Sequence, residues 1–238
     1  MALTAASSVA PLAVVIPALN EACRVPLLLA DLALGQDLIA ELVVVDGGSL
    51  DGTAGLARLG GARVVHAGGG RGAQLLAGIA TCAAPWLWLL HADARLPPRW
   101  PARLRGLLQE RAVPPQDQAW YGTLRVPLPA APYRLLEAAV ALRSRLGQLP
   151  YGDQGLLLSR AAYHWAGGLR PLALMEDLEF AERFGRCGRF CPLGLPITVD
   201  GRRWRRHGLL ATSWRNARLR RAWRRGCSPE LLLQRYYG

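Results

Sequence analysis

Residues 12–21, LAVVIPALNE, and residues 42–51, LVVVDGGSLD, decide the fold. In each, a short apolar run (12–16 and 42–45) stops abruptly at polar or glycine residues. Runs of this length, rich in valine, suit strands buried on both faces of a parallel sheet. Asn20 is placed to cap a helix after the first run, with Glu21 in its first turn, and Asp51 to cap the next. The rhythm continues outward. Residues 62–66 read as a third strand. Gly68, Gly69, Gly70 and Gly72 then lead into a helix predicted over 73–82, and 86–90 reads as a fourth strand ending at His91-Ala92-Asp93. Strands alternating with helices predict an α/β fold with a mostly parallel sheet.

Beyond residue 96 the pattern is less regular. Pro97, Pro98, Pro101, Pro114 and Pro115 punctuate a helix predicted over 99–111. Strands are expected at 120–126 and 156–159, and helices at 133–146, 176–186 and 210–225. Ser228-Pro229-Glu230 opens a last helix, with serine as cap, proline at the first helical position and an acid next. There is no internal repeat and no linker, so a single domain with a C-terminal helical extension is expected.

Composition narrows the chemistry. All 29 basic residues of the 238 are Arg, and Lys is absent. A Walker A loop and a Schiff-base mechanism both require Lys, so neither is possible. The net charge of +12 is uneven: residues 1–201 hold 18 Arg against 16 acids, while 202–225 hold ten Arg and no acid. No signal peptide is expected from the first apolar run, which spans five residues and stops at Pro17. The longest apolar stretch, 79–90, is too short to span a bilayer. Five cysteines without paired spacing point to reduced thiols and a cytoplasmic setting. Cys187, Cys191 and His207 match zinc spacing poorly.

Four consecutive strands end in polar or glycine residues, and in open α/β sheets ligands bind at those ends. The dinucleotide fingerprint is missing, because residues 17–22 contain no Gly. A nucleophile elbow is missing too, because position 51 is Asp. What remains is an acid after the second strand, a glycine loop carrying Arg71 after the third, and His-x-Asp after the fourth. An acid there can hydrogen-bond a ribose or base. Small neighbours let Arg71 approach a pyrophosphate closely, and a carboxylate at a strand end can hold a divalent cation.

The stretches VVIPALNEA, ELVVVDGGSLDGT, GRGAQLLAG and HADARLP resemble, in order and spacing, the motifs of family 2 GT-A glycosyltransferases. YGDQG, MEDLEF and RRWRRHG resemble a small branch associated with selenium and arsenic metabolism, which includes selenosugar synthases. The resemblance implies an inverting UDP-sugar transferase with the GT-A fold. It divides the chain into a nucleotide-binding half (10–95), an acceptor half (96–201) and an Arg-rich extension (202–238). Pro17, Asn20, Glu21, Asp46, Gly48, Arg71, Gln74 and Asp93 would then meet the donor nucleotide. Asp93, with His91 where the family usually has its first Asp, would form a minimal Mg or Mn site completed by the diphosphate. Glu176 and Asp177 match the family's acid pair, and Asp177 is expected to be the base. Tyr151, Asp153 and Gln154 would meet sugar or acceptor hydroxyls. The expected acceptor is a small anion, selenophosphate, for which no strong base is needed; a hydroxyl, thiol or lipid acceptor is the alternative.

The Arg-rich segment has plainer and sharper readings. Trp204, Trp214 and Trp223 interleaved with arginine fit a nucleic-acid or anionic membrane surface. The resemblance favours Arg202, Arg203, Arg205 or Arg206 over the diphosphate, and no nucleic-acid partner is expected. Peripheral membrane contact stays open, although the stripe Leu210, Trp214, Ala217 breaks at Arg221, which argues against an inserting face. His66 and His207 read as structural, and a non-catalytic binding module is disfavoured by the intact acid and Arg71 set.

Overall fold

The computed structural model describes residues 11–111, 113–128 and 130–237; the side chains of Arg203 and Tyr237 lie outside the described set. Seven strands form one sheet: β1 (Leu12–Ala18), β2 (Ile39–Asp46), β3 (Arg63–His66), β4 (Trp86–Leu89), β5 (Gln118–Arg125), β6 (Leu156–Ser159) and β7 (Arg189–Thr198). Their order is β3-β2-β1-β4-β6-β5-β7. Only β6 runs antiparallel to its neighbours. The expected mostly parallel α/β sheet is therefore present. The chain leaves β1 toward β2 and returns to its other side with β4, so strand order reverses beside β1, where such sheets open a crevice.

Alternation along β1 explains the two layers. Leu12, Val14 and Ile16 share a core with residues of helices α1 (Val25–Ala33) and α4 (Trp100–Glu110). Ala13 and Val15 face the other way, into a core with α3 (Arg71–Ala80) and α7 (Glu176–Phe184). Side chains that alternate across a strand need an apolar residue at every position when both faces are covered. The Trp88 and Trp100 rings, with centroids 5.3 Å apart, tie β4 to α4.

The remaining helices are α2 (Thr53–Leu59), α5 (Ala131–Leu146), α6 (Arg160–Trp165), α8 (Arg202–His207), α9 (Leu209–Arg224) and α10 (Pro229–Tyr237). Ser228 accepts from Leu231 N at 3.3 Å, the cap its sequence promised. Asp51 takes the Thr53 N–H at 3.1 Å at the start of α2. Asn20 is corrected: α1 begins at Val25 with no side-chain cap. Asn20 instead accepts from Leu50 N at 2.9 Å and donates its own N–H to Ser49, joining the loops after β1 and β2. β7 and α6 have no counterpart in the sequence reading. Pro192 and Pro196 disguise β7, which tolerates them because it lies at the sheet edge. Among the described residues no helix is long and apolar enough to cross a membrane.

Candidate active site

The carboxyl ends of β1 and β4 open on a crevice of about 390 Å³, within the range that holds small-molecule ligands. Pro17, Glu21, Arg71, Gln74, His91 and Asp93 line it from the ends of β1 and β4 and from α3. Tyr151, Asp153 and Asp177 line it from residues 151–177, and Arg202, Asn216 and Arg220 from α8 and α9. Motifs spread over two hundred residues thus share one space.

Several donor-side residues are already engaged by the protein. Asp46 is buried at the end of β2. Its oxygens accept from Gly48 N at 3.3 Å and Ser49 N at 3.2 Å, and His66 Nδ1 lies 3.3 Å away. Burial pushes the Asp46 pKa up, but the bonds from Ser49 and Gly48 and the His66 contact outweigh it, leaving it below 3.8. Asp46 organises its own turn and, like Asn20 and Gly48, lies outside the crevice lining. Gln74 reaches the crevice, but its amide donates to Ala18 O at 3.0 Å and Val45 O at 3.2 Å, clipping β1 to β2.

The glycine loop has a different occupant from the one its sequence suggests. A Cβ at Gly70 would lie 2.5 Å from Ala173 O, and one at Gly72 2.5 Å from Leu172 O. Gly72 N donates to that same Leu172 O at 3.1 Å. The small residues admit the backbone of 170–173, and Gly70 also takes a φ of +88°, which favours glycine. Arg71 follows, lines the crevice and stands 3.0 Å from Glu176 Oε1.

Acids cluster where the acceptor half meets this loop. Met175, at a left-handed φ of 70°, turns the chain into α7 and places Glu176 and Asp177 at its N-terminus. Asp177 accepts from Gly152 N at 2.9 Å and Leu178 N at 2.8 Å. Burial pushes its pKa up, but Arg71, the two backbone donors and His91 outweigh burial and hold it below 3.8. Glu176 is sealed below the crevice floor, and neither carboxylate oxygen accepts a hydrogen bond among the described residues. Arg71 pairs with it by charge without hydrogen-bond alignment. Burial therefore dominates, with Asp177 adding to it against Arg71, and the Glu176 pKa rises to about 7. Asp153 behaves similarly. Its Oδ1 is buried without a partner, and burial, opposed by Arg143 and reinforced by Asp177 and Asp93, lifts its pKa to about 6. His91 packs over Gly152, where a Cβ would stand 2.6 Å from its Nε2.

Gln154 has a structural role. It is fully buried; its amide donates to Gly122 O at 3.0 Å, and its Oε1 accepts from Ser144 Oγ at 2.9 Å and Arg143 at 3.1 Å. Arg143 and Arg220 were missed by the sequence reading. Arg143 stacks on the Tyr151 ring at 3.7 Å, and Arg220 lies 5.5 Å from the same ring. The inward face of α9, Thr212, Asn216, Leu219 and Arg220, follows helical spacing but is mostly polar, so no apolar stripe marks it in the sequence. The sequence reading tracked the opposite stripe, Leu210 and Trp214, which is exposed.

At the crevice edge Arg202 grips Glu21 with two nitrogens, Nη1 to Oε2 at 3.1 Å and Nη2 to Oε1. Asp200 is held by Arg24 at 2.5 Å and Arg205 at 3.1 Å. Arg206 is exposed outside the lining, and the Arg203 side chain lies outside the described residues. Asp93 sits beside this network. Burial, with Glu21 and Asp200, raises its pKa against the pull of Arg202. Among the described residues no three His, Cys, Asp or Glu side chains converge as a metal-binding group. The donor set therefore fits a divalent cation shared between Asp93 and a ligand's phosphate oxygens, not one held by protein alone.

A family model described as "Glycosyl transferase family 2" matches residues 13–136, just over half of the chain. No curated protein matches it. Among solved structures, glucosyl-3-phosphoglycerate synthase from Mycobacterium tuberculosis, in complex with Mn2+, UDP and glucosyl-3-phosphoglycerate, is similar with a TM-score of 0.55. Identity is 22%, over 79% of this chain and 70% of that one. One structure of S. aureus TarS gives a TM-score of 0.60 at 16% identity, over 80% of this chain and 60% of that one. At these identities the likeness is one of fold.

Proposed function

The chain belongs to glycosyl transferase family 2, and from that premise we propose that this glycosyltransferase moves a hexosyl group from a UDP-sugar to a small anionic acceptor, with selenophosphate as the specific candidate. One observation carries the reading: Arg71, Arg202 and Arg220 line the same crevice as Asp93, Asp153 and Asp177. Cations suit a diphosphate and an anionic acceptor, and carboxylates suit a sugar and a cation. The M. tuberculosis synthase, solved with UDP and in another complex with phosphoglyceric acid, supports a UDP donor and an anionic acceptor by analogy.

In the proposed reaction the acceptor selenium attacks the anomeric carbon opposite the diphosphate. A C–Se bond forms as the bond from that carbon to the β-phosphate oxygen breaks, UDP departs with the electron pair, and the anomeric centre inverts. Arg202 and Arg71 would offset charge on the leaving group, whereas Arg206, exposed outside the lining, would not. A divalent cation held with Asp93 would supply further neutralisation of the diphosphate, and His91 would flank that position. Pro17, Asn20, Glu21, Asp46, Gly48 and Gln74 shape the nucleotide end, several of them by holding loops. Asp177, kept ionised by Gly152 and Leu178, orients the acceptor with Tyr151, and Gln154 supports that loop from beneath. Glu176 steadies Arg71.

A specific observation favours a second reading, transfer to a hydroxyl. Asp153 has a proton affinity near neutrality and a buried, unpartnered oxygen, which suits a general base. On this reading Asp153, beside Asp177, takes the hydroxyl proton. The test offers several UDP-sugars with selenophosphate or hydroxyl acceptors, with and without chelator, and reads UDP and product by mass spectrometry. A seleno-sugar supports the first reading, turnover only with hydroxyls replaces it with the second, and full activity in chelator removes the cation.

A further inference from the structure

Helix α5 is inside out. Its buried face carries Glu137, Val140 and Ser144. Glu137 accepts from Val126 N at 2.8 Å, Arg125 at 2.6 Å and Arg134 at 2.6 Å, and Ser144 reaches Gln154 at 2.9 Å. Its outward face carries Ala131, Leu135, Ala138, Ala139, Leu142 and Leu146, a wholly apolar stripe at helical spacing. Leu135 and Leu146 are each 73% exposed and Leu142 60%. Single exposed leucines are ordinary, but a continuous stripe on an otherwise polar surface marks a contact face.

Its surroundings choose the occupant. Trp204 of α8 packs with Leu136 and Val140 of α5, and the Tyr151 ring links Arg143 of α5 to Arg220 of α9. α8 and α9 thus lie next to α5 on its inner side, and their span of residues 202–225 contains ten Arg and no acid. Arg134 and Arg145 are exposed on α5 itself, and its one acid, Glu137, is buried. On α9, Leu210 is 83% exposed and Trp214 64%, with Arg218 stacked 4.5 Å from the Trp214 ring. A second copy would bring the same positive field against this one, and like charges oppose such pairing. An anionic lipid surface matches both features, since leucines and tryptophan enter the interface while arginines meet headgroups.

We propose that the outward face of α5, with the arginines near it, docks this protein on anionic membranes. This docking is independent of the donor and acceptor assigned above. The test is co-sedimentation of the full chain with phosphatidylcholine vesicles, with and without phosphatidylglycerol, over a range of salt. Binding is expected only with phosphatidylglycerol and to weaken with salt. Leu135→Gln/Leu142→Gln/Leu146→Gln is expected to weaken it by about tenfold or more. Leu34→Gln/Leu59→Gln, at exposed leucines of the nucleotide half, is expected to leave it unchanged. In the unaltered chain, amide exchange over 131–146 is expected to slow when the anionic vesicles are added. Equal sedimentation of parent and triple variant, or unchanged exchange, overturns the proposal. A dimer in ultracentrifugation that the triple variant abolishes also overturns it and assigns the face to a second copy.

Discussion

Asp46 and Glu176 are both buried carboxylates at element ends, and they hold protons in opposite ways. Asp46 closes β2, and its loop folds back so that the Gly48 and Ser49 N–H groups and His66 meet it. Glu176 opens α7 and meets the Arg71 charge, and its carboxylate oxygens accept no side-chain hydrogen bond among the described residues. Burial raises both, yet one ends below its ordinary value and the other at about 7. Asp177, one residue along, returns to the low side because the Arg71 charge acts on it and Gly152 and Leu178 also donate to it. Burial raises each of these acids, and the partners decide whether it prevails. Asp46 and Asp177, which accept backbone hydrogen bonds, stay ionised, while Glu176 and Asp153, with buried oxygens that accept none among the described residues, hold protons near neutral pH.

The sharpest way to break this contrast is Asp177→Asn. It removes the ionised acid proposed to orient the acceptor, and kcat is expected to fall by about 10²-fold with UDP affinity, read by calorimetry, nearly unchanged. Equal losses in kcat and UDP affinity would show that Asp177 does not act on the acceptor alone. Next is Gly70→Val. It drives a side chain into the Ala173 backbone, and a loss of about 3 kcal/mol with a raised donor KM is expected; urea titration and kinetics check it.

Asp46→Ala is expected to cost about 1–3 kcal/mol at neutral pH, because two part-buried N–H groups lose a charged acceptor. With its folded pKa lowered, the contribution of Asp46 is present above 3.8 and is lost as pH falls through the lower folded value. The difference between variant and parent in chemical denaturation should therefore vanish in strong acid. The smallest effect belongs to Glu176→Gln. The raised folded pKa means the parent is most stable below 4.5 and loses that increment as pH rises through about 7. The variant is expected to gain about 1–2 kcal/mol on the parent at pH 8 and little at pH 5, read as melting temperature. A flat difference would show that Glu176 is not held near neutrality.

The first four strands were legible because each contains a short valine-, leucine- or tryptophan-rich apolar run and ends in residues that break it. The strand ends were legible as a site for the same reason, and Asp93, Arg71 and Asp177 do share the crevice. Other assignments failed where a side chain's partner lies far along the chain. Gln154 looked like a sugar ligand until Ser144, Arg143 and Gly122 consumed its hydrogen bonds. The glycine loop looked open until residues 170–173 filled it. Arg220 looked like surface charge, because nothing in the local sequence says which side of α9 faces Tyr151.

The sequence by itself determined the alternating fold, the exclusion of Lys chemistry, and the concentration of positive charge in residues 202–225. These follow from local periodicity and composition, which need no distant partner. The tertiary structure alone decided which acids are held ionised and which are poised near neutrality. It alone decided that the apolar face lies on α5 beside the arginines, not on the Arg-rich helix. Proton affinity and exposure depend on what surrounds a side chain in space, and that is set only when segments far apart in the chain pack together.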